Sequence, residues 1–416
     1  MAGPRGWIWA GVLVAGLLAS AAAAPPPLER VTTMAPFPRG LVMAPEGLYV
    51  LCRGRVRSSG GVSAAIDDQA GTIYLVDPAL SEPWSSAPPS ARVQGNGRVF
   101  ARPTAPPFRL WQRTTPAEAD RETDRPYCTL RWHAASQSLL LCAFSGVDKP
   151  SRAGDPIAFS KNLTDGLLRY DLRSRQWSEV ERHRIEAGGS YPHHDVRHAA
   201  PPHGWLNGPD NCLVVGDWLY AVAKDNSRLV RYDLRPLVAN PAAPPPPSFP
   251  VLEARTPLAD GTQAEFYGHS ALAEHDGWLY VGCRTSSVIF RLRLTAAGLP
   301  VAPPRAEVVA WFDAYDPRTG RSANLTDMAF DPAGRLYVVS AQPARVFRFT
   351  PDPRRAFDAR ADQAAPWVDL AARVRHPQTK CENVLYADGW IYLTTGDGYA
   401  YQQGAEGTVY RVQVTD

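Results

Sequence analysis

Polar residues stand at one recurring place in this chain, directly ahead of a short apolar run that appears six times. Arg39-Gly40, Cys128-Thr129, Asp210-Asn211, His269-Ser270, Thr326-Asp327 and Glu382-Asn383 occupy it. Equivalent positions of a circular repeat meet in space although they lie far apart in sequence. Matched on their second members, these pairs would bring Asp210, Asn211, Asp327, Glu382 and Asn383 together with the His269 imidazole and the Arg39 guanidinium. Carboxylate and amide oxygens around one imidazole suit a divalent ion of the Ca²⁺ or Zn²⁺ class, or a polar ligand. The other reading is local: polar residues that open strands also satisfy backbone N–H groups and cap turns. Arg39 decides between metal and no metal. A guanidinium paired with Glu382 or Asp327 takes the carboxylate a cation needs, leaving a structural site or one suited to an anion.

A second group is local. Tyr191-Pro-His193-His194-Asp195-Val-Arg-His198, followed by His203, puts four of the nine histidines within eleven residues. Clustered histidine is a metal-ligand composition. Pro192, Pro201 and Pro202 make the segment a loop, and it leads directly into Asn211. His194 and His198 are therefore candidates to reach a bound ligand from above, the alternative being a solvated loop. Asn162-Leu-Thr and Asn324-Leu-Thr match the N-glycosylation acceptor. No G-x-S-x-G, Walker A or Gly-rich dinucleotide motif stands in a strand-to-helix context, which disfavours ordinary serine-hydrolase, nucleotide and NAD chemistry.

The elements that must position these residues are strands. In the fifth copy Asp327-Met-Ala-Phe is followed by an Asp331-Pro-Ala-Gly334 turn, then Leu336-Tyr-Val-Val-Ser, then Ala344-Arg-Val-Phe-Arg-Phe-Thr350. The sixth has Asn383-Val-Leu-Tyr, an Asp388-Gly389 turn, Trp390-Ile-Tyr-Leu-Thr-Thr and Gly407-Thr-Val-Tyr-Arg-Val-Gln-Val414. Copies one to four begin near Gly40, Thr129, Asn211 and Ser270 and follow the same plan. Each is two strands joined by a tight Gly-containing turn, then a third strand, with room for a fourth. Six such units with almost no helical periodicity predict a six-bladed, all-β propeller. The chain ends on the third strand of the sixth copy, so Leu28–Met34 is expected to supply its outer strand and close the ring. The insertions Pro78–Pro126 and Val147–Asp165 decorate the first two blades, and long loops on a rigid scaffold are where binding commonly sits.

On these residues the chain resembles the SMP-30/gluconolactonase-like propellers. Asp327-Met-Ala-Phe-Asp331-Pro-Ala-Gly334-Arg-Leu-Tyr-Val-Val is similar to their Asp-bearing blade, and Glu382-Asn383-Val-Leu-Tyr to their last blade. The resemblance implies a divalent metal in the channel and hydrolysis of a small lactone or ester, with Asn211 and Asp327 matching two of four family ligands. The family's Glu position is Arg39-Gly40 here, and its second Asn is His269-Ser270. Glu382 and His269 would complete a mixed site of Asn211, His269, Asp327 and Glu382, nearer to zinc than to calcium. Asp327 and Glu382 would then be the catalytic pair, one as general base on metal-activated water. Arg39, Asp210, Asn383, His194 and His198 would bind the ligand. NHL-repeat and strictosidine-synthase-like propellers share the generic blade, and the rival expectation is a non-catalytic propeller that binds a small molecule or protein.

Met1–Ala23 read as a secretory signal peptide: one early positive charge, an apolar run at Gly6–Ser20, then Ala-rich sequence. The rest, 28–416, is expected to be one propeller domain, secreted or periplasmic, with no transmembrane segment after signal removal. A net charge of +3 with no basic run gives nucleic acid no binding surface. The six cysteines, Cys52, Cys128, Cys142, Cys212, Cys283 and Cys381, form no C-x-x-C pair. In an exported chain they permit up to three disulfides, against buried free thiols as the alternative.

Overall fold

The computed structural model describes residues 26–415 except 36–37, 53–55, 60–61, 66–70, 86, 88, 103–126, 144–163, 185–208, 225–226, 245, 313–322, 342, 363, 375–378 and 398–406. The signal segment, His194, His198 and the rest of the histidine cluster, and Asn162 lie outside the described residues.

Each copy of the repeat folds as an antiparallel sheet. From channel to rim, blade one is Pro38–Ala44, Gly47–Cys52, Ile73–Val76 and Gly97–Ala101; blade two is Tyr127–His133, Ser138–Ala143, Thr164–Asp171 and Gln176–Arg184. Blade three is Pro209–Val215, Trp218–Ala223, Arg228–Asp233 and Ser248–Leu252; blade four is His269–His275, Trp278–Cys283, Val288–Arg293 and Ala306–Trp311. Blade five is Leu325–Phe330, Leu336–Ser340, Arg345–Phe349 and Val368–Asp369. Blade six takes Thr379–Ala387, Trp390–Asp397 and Gly407–Gln413 from the C-terminus and Leu28–Ala35 from the N-terminus. Pairing of Leu28–Ala35 with Gly407–Gln413 closes the ring as the sequence suggests. The first strands touch in cyclic order, blade one to two and onward to six, and six returns to one. The protein is a six-bladed β-propeller. Among the described residues no helix is long and apolar enough to cross a membrane.

The core is divided rather than central. Six apolar clusters fill the six gaps between neighbouring blades. The Leu-Tyr strands lie between two such gaps, which is why Leu48, Tyr49, Val50 and Leu51 are all buried instead of alternating. Tight hairpins join first and second strands. At Asp276-Gly277 and Asp388-Gly389 both residues take positive φ (50° and 71°, 50° and 80°), as a type I′ turn requires. At the far end of the blades the third-strand arginines cover the tryptophans that open the second strands. Arg231 lies 5.1 Å from the Trp218 ring centre, Arg291 4.0 Å from Trp278 and Arg411 4.0 Å from Trp390.

The ladders also decide how the copies align. Every first strand carries an irregularity at the same depth, with one residue inserted: Arg39, Thr129, Asp210, Ser270, Thr326 or Glu382. The matching of Thr129 and Ser270 with Asn211, Asp327 and Asn383 is therefore corrected by one residue in blades two and four. Leu130 and Ala271 share that level instead, together with Gly40 of blade one. The physical reason is that the polar residue of blades two and four occupies the bulge itself, whereas in blades three, five and six a second polar residue follows it. Gly40 meets this ring closely, since a Cβ there would stand 2.7 Å from the Leu130 nitrogen.

Candidate functional site

The bulges put Arg39, Asp210 and Glu382 at the channel mouth, and the next residues put Asn211, Asp327 and Asn383 one step deeper. Asp327 is fully buried and is the hub of the deeper level. Its Oδ1 accepts from Arg131 Nη2 at 3.1 Å and Asn211 Nδ2 at 2.7 Å. Its Oδ2 accepts from Asn383 Nδ2 and from the Val384 backbone N–H at 3.1 Å. Asn211 Oδ1 accepts from the same Arg131 group at 3.0 Å, and Asn383 Oδ1 accepts from the Leu41 N–H at 3.0 Å. Side chains or backbone of blades one, two, three, five and six are thus tied to one another across the axis. Burial raises the Asp327 pKa above the ordinary carboxylate value, with Arg131, Asn211 and the Val384 N–H pulling against it.

At the mouth Arg39 Nη1 contacts Glu382 Oε2 at 2.6 Å, and its Nη2 lies 3.6 Å from Asp210 Oδ1. The same Nη2 donates to the Cys128 sulfur at 3.2 Å. Burial opposes the charge on Arg39, but Cys128, Glu382 and Asp210 outweigh it and hold the guanidinium pKa above its ordinary value. Asp210 also faces Arg284 at 3.6 Å, and Arg284 Nε donates to the Asn324 side-chain oxygen. The Asp210 carbonyl accepts from Thr129 Oγ1 at 3.0 Å, so the bulge of blade two is fastened to that of blade three.

Arg39, Asp210 and Glu382 meet at the mouth, and Asn211, Asp327 and Asn383 meet below it. His269 joins neither group. It precedes the bulge of blade four, is wholly buried, and packs against Phe290 with ring centres 5.7 Å apart. Neither ring nitrogen makes a well-formed hydrogen bond. Burial lowers its pKa to about 4, the backbone of Arg228 and Phe266 offsetting part of the effect, so the ring is neutral near pH 7. Its expected place beside Asn211 and Asp327 is corrected. The slip is the one-residue bulge shift, which gives the channel-side place in blade four to Ser270 and Ala271.

Two residues of the site escaped the sequence reading. Arg131 was legible in retrospect, because with the bulges matched its position is Leu41, Cys212, Leu272, Met328 or Val384 in the other blades. Arg284 follows the second strand of blade four, where Lys224 follows that of blade three. Lys380, just ahead of Cys381, lies at the same end of blade six.

The donor set does not fit a divalent cation in this arrangement. Glu382 and Asp327 each face a guanidinium, and both Asp327 oxygens already receive two donors. A dication among them would meet two positive charges at contact distance. His269, the one nitrogen ligand in the expected set, points elsewhere. Among the described residues no group of three or more His, Cys, Asp or Glu side chains is placed to hold a metal ion.

No protein-family model matches the chain, and no curated protein matches it either. Solved structures of similar shape include a putative oxidoreductase (glucose dehydrogenase) from Thermus thermophilus, 13% identical over 92% of this chain and 99% of that one, with a TM-score of 0.49. The soluble aldose sugar dehydrogenase of Escherichia coli is 10% identical over 93% and 99% of the two chains, with a TM-score of 0.48. Regucalcin, a calcium-binding protein from Agrobacterium tumefaciens, is 11% identical over 92% of each chain, with a TM-score of 0.44. Likeness this remote carries no functional argument, and the assignment of the fold rests on the closed ring of strands itself.

Proposed function

We propose that this propeller is a binding protein that takes a small organic anion at its channel mouth, and that it is not a metal-dependent hydrolase. The observation that carries the reading is the pairing of Arg39 with Glu382 and of Arg131 with Asp327. It engages the two carboxylates a hydrolytic mechanism would need, one as base and one as ligand. Charge around the mouth supports the anion. Arg39, Arg131 and Arg284 are gathered there with Asp210, Asp327 and Glu382. Guanidinium groups placed there attract a carboxylate and fix its orientation by charge-assisted hydrogen bonds. Export through the N-terminal apolar segment belongs to this reading, placing the binder in the periplasm or outside the cell.

The test is calorimetric titration of the purified protein with gluconate, citrate and inorganic phosphate, alongside neutral gluconolactone. Saturable binding of an anion, weakened by salt and at least tenfold weaker in Arg284→Gln, is the expected result. Hydrolysis of the lactone or of a small ester that needs one stoichiometric divalent ion, and disappears in Asp327→Asn while the fold persists, would overturn it.

A further inference from the structure

The two acidic side chains of the channel mouth are held differently. Glu382 lies 2.6 Å from Arg39 Nη1, a charge-assisted contact of full strength. Asp210 has a guanidinium on each side and is bonded to neither. Arg39 Nη2 stands 3.6 Å from its Oδ1, and Arg284 Nη1 stands 3.6 Å from its Oδ2. A separation of that length is an ion pair without a hydrogen bond. The Asp210 side chain is 5% exposed, and among the described residues no donor lies at bonding length from either carboxylate oxygen. A buried carboxylate whose acceptors go unserved calls for a donor from solution. Its position is fixed, because Asp210 is the bulge residue of blade three and its carbonyl accepts from Thr129 Oγ1 at 3.0 Å. Arg284 is fixed as well, through Nε to the Asn324 side-chain oxygen. At 21% exposed it is the most open of the three arginines, against 8% for Arg39 and 12% for Arg131.

We infer that the carboxylate taken at this mouth belongs to an α-amino acid, with its carboxylate on Arg284 and its ammonium group on Asp210. The inference rests on the reading of the mouth as a carboxylate site and supplies the second half of the ligand. Spacing carries it. In an α-amino acid the nitrogen and the carboxylate oxygens lie about 2.7–3.6 Å apart by ordinary bond lengths. Arg284 Nη1 and Asp210 Oδ2 are 3.6 Å apart. The two charged ends of the ligand therefore match the two side chains, each through a charge-assisted hydrogen bond of about 2.7–2.9 Å. Charge agrees. Arg39 and Arg284 are matched by Glu382 and Asp210, so these four side chains are balanced before anything binds. A zwitterion keeps that balance, whereas a bare carboxylate on Arg284 sits beside the Asp210 carboxylate as a like charge. The competing occupant is water hydrogen-bonded to Asp210, which would give an ammonium group no advantage.

The experiment is calorimetric titration of the purified protein with L-alanine, L-lactate and propionate. These share one carbon skeleton and one carboxylate, and carry an ammonium, a hydroxyl or only hydrogen on the carbon beside it. L-Alanine is expected to bind at least tenfold tighter than propionate, with L-lactate, a neutral donor, between them. Asp210→Asn should weaken L-alanine at least tenfold and tighten propionate, because the amide keeps the shape and removes the charge. Arg284→Gln should weaken all of them. Propionate binding as tightly as L-alanine, or Asp210→Asn shifting both in the same direction, would overturn the inference and leave the carboxylate site standing. Binding of gluconate or citrate without binding of L-alanine would do the same. If none of these compounds binds, the carboxylate site itself fails and the inference falls with it. The ligand series on the wild-type protein decides the matter even where a variant does not fold.

Discussion

Asp327 is expected to act as the axle of the ring, and a double-mutant cycle with Arg131 measures how much. The carboxylate is fully buried and takes four donors from blades two, three and six. Asp327→Asn preserves its shape but turns one oxygen into a donor, so either the Arg131–Asn211 side or the Asn383–Val384 side faces N–H against N–H. The Arg131 side chain, 12% exposed, loses its counter-charge at the same time. Removing one partner of a buried, hydrogen-bonded pair costs about 3–5 kcal/mol. The single substitution is expected to fall in that range, because hardly any solvent reaches the site to compensate. Arg131→Met alone should cost a similar amount, since it leaves the carboxylate buried with three neutral donors. Asp327→Asn combined with Arg131→Met should lose less than the sum of the singles, with about 1–3 kcal/mol of coupling. The assay is urea unfolding followed by intrinsic tryptophan fluorescence, fitted with a common slope. Additive single losses, or a loss below about 1 kcal/mol for Asp327→Asn, would refute the idea that this network ties the blades together.

His269 makes the fold acid-sensitive. Its folded pKa, near 4, lies below the ordinary 6.5, so the unfolded chain binds the extra proton first. The stability it contributes is complete above about pH 6.5 and is lost as pH falls toward 4, to the extent of about 2–3 kcal/mol at about pH 4.5. His269→Leu should remove that part of the acid loss; equal slopes of stability against pH in both proteins would rule it out. Gly40→Ala forces a methyl group to within 3 Å of three atoms of Thr129 and Leu130, two of them backbone, and should destabilise the protein by about 1–3 kcal/mol in urea unfolding. No change there would mean that blades one and two can part at no cost.

Much of the architecture was readable from the chain because it rests on local chemistry. Asp-Gly turns at Asp276-Gly277 and Asp388-Gly389, Leu/Ile-Tyr second strands in five blades and Arg-bearing third strands in five blades each form from neighbouring residues. Closure by Leu28–Ala35 was readable for a related reason: a sheet left one strand short at the C-terminus needs its edge covered from the other end. Repetition also led to the expectation that Asp210, Asn211, Asp327, Glu382 and Asn383 lie near one another, and their contacts agree with that proximity.

Which of these residues touch was a different matter, decided by the ring. Contacts such as Arg131 to Asp327 span almost half the chain, and no local pattern encodes them. All six bulges lie at the same depth, but in blades two and four the polar residue is the bulge itself, and with a side-chain period of two this leaves His269 buried against Phe290. The bulge likewise hid Arg131, whose charge at an otherwise apolar position has meaning only once the registers are matched. Composition could say that carboxylates, amides and an arginine are present. Whether a carboxylate meets a cation from solution or a guanidinium from another blade depends on distances of a few ångströms across the axis, and tertiary packing alone sets those.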